Sequence, residues 1–252
     1  MWIVCITSVR HVLTVNGYGG RQTKENEKSW CFKGWETLDS NFVRQTDMPM
    51  QTVKDHIKSD ILQSAATLFL EKGYLKVPMR EIAHKSGVGL SNIYNYFSCK
   101  DDIFVQIVTP AVRTFENMLD EHHGRRGTDI MAMCDRDYFK YMVDEYTSFI
   151  HRHRDLLLLL LFRSQGSSLE NYKEEFARKS TALVKEYFTL MKHKHPQLET
   201  DISDFSIRMH TVWMFALFEE LLMRRVKPDE IEKVVTEYMT IEVAGWRELM
   251  KI

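Results

Sequence analysis

Gly73, Pro78 and Gly87 fall in close succession inside a stretch whose apolar residues otherwise keep helical spacing. Before them, Ile57, Ile61, Leu62, Ala65, Leu68 and Phe69 recur at intervals of three and four, one apolar stripe of a helix that begins near Thr52. Gly73 ends that helix, because glycine takes the left-handed conformation just past a helix terminus, and Tyr74 supplies the apolar contact that folds back. Pro78 has the fixed φ that suits a first helical position, so a second helix starts there and turns Met79, Ile82 and Ala83 inward. Gly87 stops it after about two turns. A third short helix is expected from about Leu90 to Phe97, held by Ile93 and Phe97 one turn apart.

Two short helices joined by a tight glycine turn, with longer helices before and after, make a helix-turn-helix arrangement. Val88 fills the angle between the two. Ser98 reads as the cap of the next helix, with Asp101 three residues on completing a capping box. That helix should run to about His122. Beyond Gly124 and Gly127, helices are expected over 136–153, 155–163, 170–194, 201–225 and 229–250. The run Leu156 to Leu161 is apolar on all sides, which suits a buried central helix.

Residues 1–47 keep neither helical nor strand period. They are expected to be a leader, disordered or upstream of the true start, with Met48 and Met50 as candidate starts. No basic region precedes the apolar residues at the N-terminus, and Leu156 to Phe162 is far too short for a span. A soluble, cytoplasmic protein without a membrane partner is therefore expected. Cys5, Cys31, Cys99 and Cys134 are scattered without a CxxC pair, as in a reduced protein with incidental thiols.

Chemistry leaves few traces. There is no phosphate-binding loop, no GxSxG and no HExxH. The histidine pairs 122/123, 151/153 and 193/195 are spaced by one or two, whereas helical metal ligands need three or four to share a face. No enzyme activity, cofactor or metal is expected. The formal net charge is -1, so the basic excess usual in a nucleic-acid binder is absent over the whole chain. Residues 48–104 carry seven Lys/Arg against six Asp/Glu, so any affinity for DNA must come from placement.

The stretch Arg80-Glu81-Ile82-Ala83, Ser86-Gly87-Val88 and Ile93-Tyr94-Asn95-Tyr96-Phe97-Ser98-Cys99-Lys100-Asp101-Asp102-Ile103-Phe104, preceded by Phe69-Leu70-Glu71-Lys72-Gly73-Tyr74, resembles the signature of the tetracycline-repressor (TetR/AcrR) family. The resemblance covers roughly residues 54 to 104. It implies an all-α fold: an N-terminal three-helix helix-turn-helix domain (48–104), then an α-helical effector-binding and dimerisation domain (105–252). It implies a DNA-binding transcriptional regulator, a ligand-responsive repressor in the leading reading. The implied partners are double-stranded operator DNA, a small-molecule effector and a second copy of the chain, with half-sites about one helical turn apart.

By the same resemblance Tyr94 and Lys100 meet phosphates, Asn95 meets a base or a phosphate, and Leu90, Ser91 and Asn92 lie on the base-reading face. Arg80 reaches the backbone from the second helix, and Tyr96 is a further candidate. Gly89 and Val77 depart from the pattern, each losing a hydroxyl.

In the C-terminal half the last two helices carry more apolar surface than one subunit need cover, and Phe215, Phe218, Leu222, Val235, Tyr238 and Met239 are the expected dimer contacts. An effector pocket is expected among Phe115, Tyr141, Tyr146, Phe149, Phe162, Arg163, Tyr172, Phe176 and Trp213, with Arg163 facing an anionic group. Two other readings remain open: an all-helical ligand-binding protein whose helix-turn-helix is vestigial, and a protein-interaction module.

Overall fold

Why the chain turns where it does is visible in the first four helices: α1 (Met50–Lys72), α2 (Met79–Ser86), α3 (Leu90–Ile93) and α4 (Lys100–His123). Four more follow in the computed structural model: α5 (Arg136–Phe162), α6 (Tyr172–Lys194), α7 (Asp204–Met223) and α8 (Pro228–Met250). It describes residues 50–252 apart from 125 and 126, and the expected leader lies outside those residues. No strand occurs among the described residues. No helix among them is long and apolar enough to cross a membrane.

The breaks fall as the residue types require. Gly73 has φ +81° and Gly87 has φ +67°, values that L side chains adopt only with strain. Gly73 N–H returns to Phe69 O at 2.8 Å. Pro78 sits just before α2 as its cap, with φ −81° and ψ 154°. The Tyr74 ring folds against Phe69 and Phe104, with centroids 5.6 and 5.1 Å away. Ile61, Ala65, Phe69, Ile82, Ile93 and Phe104 are wholly enclosed. Each large side chain so buried contributes about 1.5–3 kcal/mol.

Three local expectations are corrected. The third helix is α-helical only to Ile93, and turns closed by Asn95 N–H to Asn92 O and Tyr96 N–H to Ile93 O carry it to Phe97. The cap of α4 is not Ser98 with Asp101. Cys99 occupies the cap position without a side-chain bond, and Asp102 reaches back to the amide of Ser98 at 2.9 Å and to its hydroxyl. The helices expected over 136–153 and 155–163 are one helix, kinked at His153 (φ −119°, ψ 20°).

Asp101, freed from capping, accepts from the amide of Ser168 at 2.9 Å. That bond ties the start of α4 to the loop between α5 and α6. Close by, Tyr74 N–H donates to Arg163 O at 2.9 Å. The same loop turns at Gly166, with φ +85°. No break marks residue 104, because α4 runs straight through it. Phe104 packs on Phe69 and Tyr74, and Val108, Phe115 and Leu119 are buried farther along α4.

The C-terminal helices build a continuous aromatic core. Phe115 meets Phe149, Phe176, Phe215 and Phe218 at centroid distances of 4.7–5.5 Å. Leu157, Leu159, Leu160 and Leu161 are buried in it, as the leucine run implies. A second, smaller cluster joins Val184, Tyr187, Phe188, Ile207 and Met250.

This core overturns the expected dimer contacts. Phe215, Phe218, Leu222, Val235 and Met239 are all buried within one subunit, and Tyr238 is half-buried against the same core. The apolar residues that α7 and α8 leave uncovered are others: Phe205, Val212, Trp213 and Met223 on α7, and Ile241 and Leu249 on α8. On α7, Phe205, Val212 and Met223 are separated by seven and eleven residues, which puts them along one line of the helix. The amphipathic period was legible, but it does not say which of two apolar faces is turned inward.

Candidate nucleic-acid interface

The short helix α3 is pinned from below and open above. Ile93 is completely enclosed and Phe97 nearly so. Ser91, Asn92, Tyr94 and Asn95 are exposed, Leu90 and Tyr96 half-buried. Tyr94 is 51% exposed, an unusual position for a tyrosine on so short an element, so its ring is not held there for packing. Asn95 Nδ2 donates to Asn92 Oδ1 at 3.1 Å, which fixes both amides in one orientation. Arg80 is exposed on α2.

Lys100 is placed differently from expectation. Its Nζ donates to Tyr74 O at 2.9 Å and to Val77 O at 3.0 Å, and lies 4.1 Å from the centroid of the Tyr74 ring. Two of its three protons are therefore spent on the α1–α2 turn. Burial lowers its pKa and the neighbouring Asp101 opposes that shift. The same Asp101, after burial, helps push the Tyr74 phenol up to about 12.

Sequence reasoning missed two cations. Lys54 and Lys58, one turn apart on α1, border a shallow groove with Asn92, Asn95 and Tyr96, and Lys58 lies 5.8 Å from the Phe97 ring. Their spacing of four was the available signal. Two other cations of the module have acidic neighbours: Lys72 pairs with Glu81, and Lys85 stands 3.9 Å from Glu71.

The expected effector pocket is largely core. Phe149 and Phe176 fill space against Phe115, and Phe162 packs on the same cluster. Phe115, Tyr146 and Phe176 border a small void of about 50 Å³. Tyr172 is buried, Trp213 is 53% exposed, and Tyr141 is half-exposed with its hydroxyl 3.3 Å from Glu145. Arg163 is exposed.

A cavity of about 120 Å³ lies instead between α4, α5, α6, α7 and α8, and of the expected pocket residues only Tyr146 borders it. His122, His123, His210, Glu242 and Trp246 border it and were not anticipated. His122 Nε2–H donates to Glu145 at 2.7 Å, leaving Nδ1 to accept from the Tyr138 hydroxyl. Burial, then the neighbouring His122 and His210, drives the His123 pKa down to about 3.

A pinned, polar-faced short helix after a left-handed glycine turn defines a helix-turn-helix module. Residues 61–107 match the family described as bacterial regulatory proteins, tetR family. A probable HTH-type transcriptional regulator of Bacillus subtilis, YttP, is 26% identical over 41% of this chain and 48% of its own length. The match thus spans about half of that relative. NalD of Pseudomonas aeruginosa, the secondary repressor of the MexAB-OprM multidrug efflux pump, superposes with TM-score 0.51 at 20% identity, covering 75% of this chain and 96% of that one. FadR of Bacillus subtilis in complex with stearoyl-CoA does so with TM-score 0.50 at 17% identity, covering 72% and 96%. At such identity these structures speak to the fold alone. Residues 61–107 are thus similar to the helix-turn-helix segment of the tetR family, and the all-helical fold is similar to that of solved TetR-family regulators.

Proposed function

We propose that the protein is a repressor that binds a two-half-site operator as a homodimer and leaves it when a small molecule occupies the helical C-terminal domain. The observation that carries the reading is the exposed Tyr94, Asn95 and Asn92 face on a helix anchored by Ile93 and Phe97. An amide of the Asn type can bond adenine bidentately, and a tyrosine hydroxyl can meet a phosphate.

Dimerisation is supported by the uncovered apolar line on α7 with Ile241 and Leu249 on α8. A second copy offering the same surface would bury it. The effector is supported by the 120 Å³ cavity. Of the other readings, the vestigial module draws support from Lys100, two of whose three protons are spent internally.

The test is a fluorescence-polarisation titration of the purified chain against genomic fragments at two salt concentrations, with Tyr94→Phe, Asn95→Ala and Lys58→Ala. A fragment-specific, salt-sensitive complex weakened by all three changes supports the repressor reading. Weak binding that is equal across fragments and indifferent to these residues overturns it.

A further inference from the structure

Most polar groups around the cavity are already engaged. His122 lies between Glu145 and Tyr138. Glu242 is met by His210 at Oε2 and by the Tyr238 hydroxyl, and the Trp246 indole lies 3.2 Å from His210 Nδ1. The Tyr187 hydroxyl donates to Thr128 O at 2.7 Å, and that of Tyr146 lies 3.5 Å from Met214 Sδ. Arg247 borders the cavity but is exposed. His123 differs from all of these. Among the described residues its ring has no hydrogen-bond partner, and neither ring nitrogen is sealed in.

Its position explains how one ring is both deep and open. His123 borders the cavity, the void of about 50 Å³ and an outer groove between α4 and α6. Its surface is half-buried, yet burial, aided by the neighbouring His122 and His210, keeps it neutral at ordinary pH. Both hold because part of the surface it shows faces enclosed space. The Tyr187 ring, 5.3 Å away, also borders groove and cavity, but its hydroxyl anchors it.

A neutral imidazole offers one N–H donor and one bare nitrogen acceptor. It meets a hydroxyl or a carbonyl without a charge on either side. An ion entering the cavity would shed its water for charges already paired among themselves. Much of the remaining wall is apolar, with Met133, Met142, Met239 and Met250 among its residues. A cavity of about 150 Å³ holds benzene, six carbons, so at like packing this one takes about five non-hydrogen atoms, its volume being about 120 Å³.

We infer that the cavity binds a small uncharged molecule, a four-carbon alcohol or carbonyl compound in size and polarity, whose oxygen is held by the His123 ring. The inference rests on the reading of the helical half as an effector-binding domain and gives that effector its class.

Five probes test this. 1-Butanol, butylammonium and butyrate share a four-carbon chain and differ in charge. 1-Chlorobutane matches 1-butanol in size without its hydroxyl, and 1-hexanol is two carbons longer. The full chain, labelled with carbon-13 at its methionine methyls, is titrated by NMR, with Met133, Met142, Met239 and Met250 reporting on the cavity. 1-Butanol should bind at least about tenfold more tightly than either ion. It should also bind more tightly than 1-hexanol, against the order that apolar surface alone would give. His123→Leu should weaken 1-butanol about threefold to tenfold, the worth of one hydrogen bond, and leave 1-chlorobutane as before. His123→Gln keeps a donor and an acceptor and should keep 1-butanol binding. Should His123→Leu fold poorly, the charge and length series on the unaltered chain still decide.

An ion bound as tightly as 1-butanol, 1-hexanol bound more tightly, or four methyl signals that no probe shifts would each overturn the inference. So would equal losses of 1-butanol and 1-chlorobutane in His123→Leu, or none. DNA binding is measured in parallel. A specific DNA complex without this discrimination sinks the inference and leaves the repressor reading standing. Discrimination without a DNA complex does the reverse.

Discussion

Lys100 Nζ donates to the carbonyl of Tyr74 at 2.9 Å and lies over that residue's ring. A side chain expected to grip phosphate is thus part of the module's internal bracing. A charged donor serving two carbonyls contributes about 1.5–3 kcal/mol per bond when replaced. Lys100→Ala should lower stability to urea by about 2–4 kcal/mol, less than twice the single-bond figure because water reaches part of the site. If bracing is its main role, the slope of log affinity against log salt stays where it was. A loss of about 0.9 in that slope would instead mark a phosphate contact.

The exposed and the enclosed apolar positions of α7 and α8 should respond in opposite ways. Trp213→Glu and Ile241→Glu, on exposed positions, should leave the folded subunit's melting almost unchanged and shift sedimentation from dimer to monomer. Phe218→Ala, at a wholly enclosed position, should cost about 3–5 kcal/mol of stability through lost packing and a residual cavity. A dimer that survives both glutamate changes would place the interface elsewhere.

His123 gives stability a dependence on pH. Its pKa is about 3 when folded against 6.5 for the free side chain. The folded state therefore binds fewer protons than the unfolded one between those values. The contribution is fully present above about pH 6.5 and is lost as pH falls toward 3, at about 1.4 kcal/mol per pH unit. His123→Gln should flatten the acid limb of a stability-against-pH curve measured by denaturant titration. Asp129 also loses stability in acid: burial works against its ionisation, but bonds from Lys194 and His195 outweigh that and hold its pKa low. The difference between wild type and variant isolates the histidine.

Gly166 should resist substitution for a backbone reason. At φ +85° an alanine costs about 1–2 kcal/mol. A Cβ built there would stand 2.8 Å from Leu75 Cδ1, but Leu75 is a largely exposed, flexible side chain that can move aside. Gly166→Ala should therefore lower the melting temperature, and adding Leu75→Ala should recover little of it. Full recovery would show that crowding, not φ, is the cost.

What the residues disclosed follows from how local each constraint is. Gly73, Gly87 and the Ile93/Phe97 pair act within a few residues, and the turns they imply are where the chain makes them. Phe218 and Trp213 illustrate the reverse. Both sit on one apolar helix, and only the packing of α7 against α6 and α5 decides that the first is enclosed and the second is not. Glu242 was invisible for a related reason. A lone acid in Met239-Thr240-Ile241-Glu242-Val243 looks like any solvated residue until α7 and α5 close over it. Asp101 and Asp102 show the finest grain of error. Adjacent acids can both reach Ser98 on paper, and the loop at Ser168 takes one of them away.

The clasp between the α5–α6 loop and the helix-turn-helix is made almost wholly of main chain. The Tyr74 amide, the Arg163 carbonyl and the Ser168 amide are backbone groups, and only the Asp101 carboxylate is a side chain. Arg163 contributes through an atom that every amino acid possesses. Any residue at 163 and any residue but proline at 168 would keep these bonds, so the joint between the helix-turn-helix and the α5–α6 loop is set at those two positions by the course of the chain and not by the identity of the side chain.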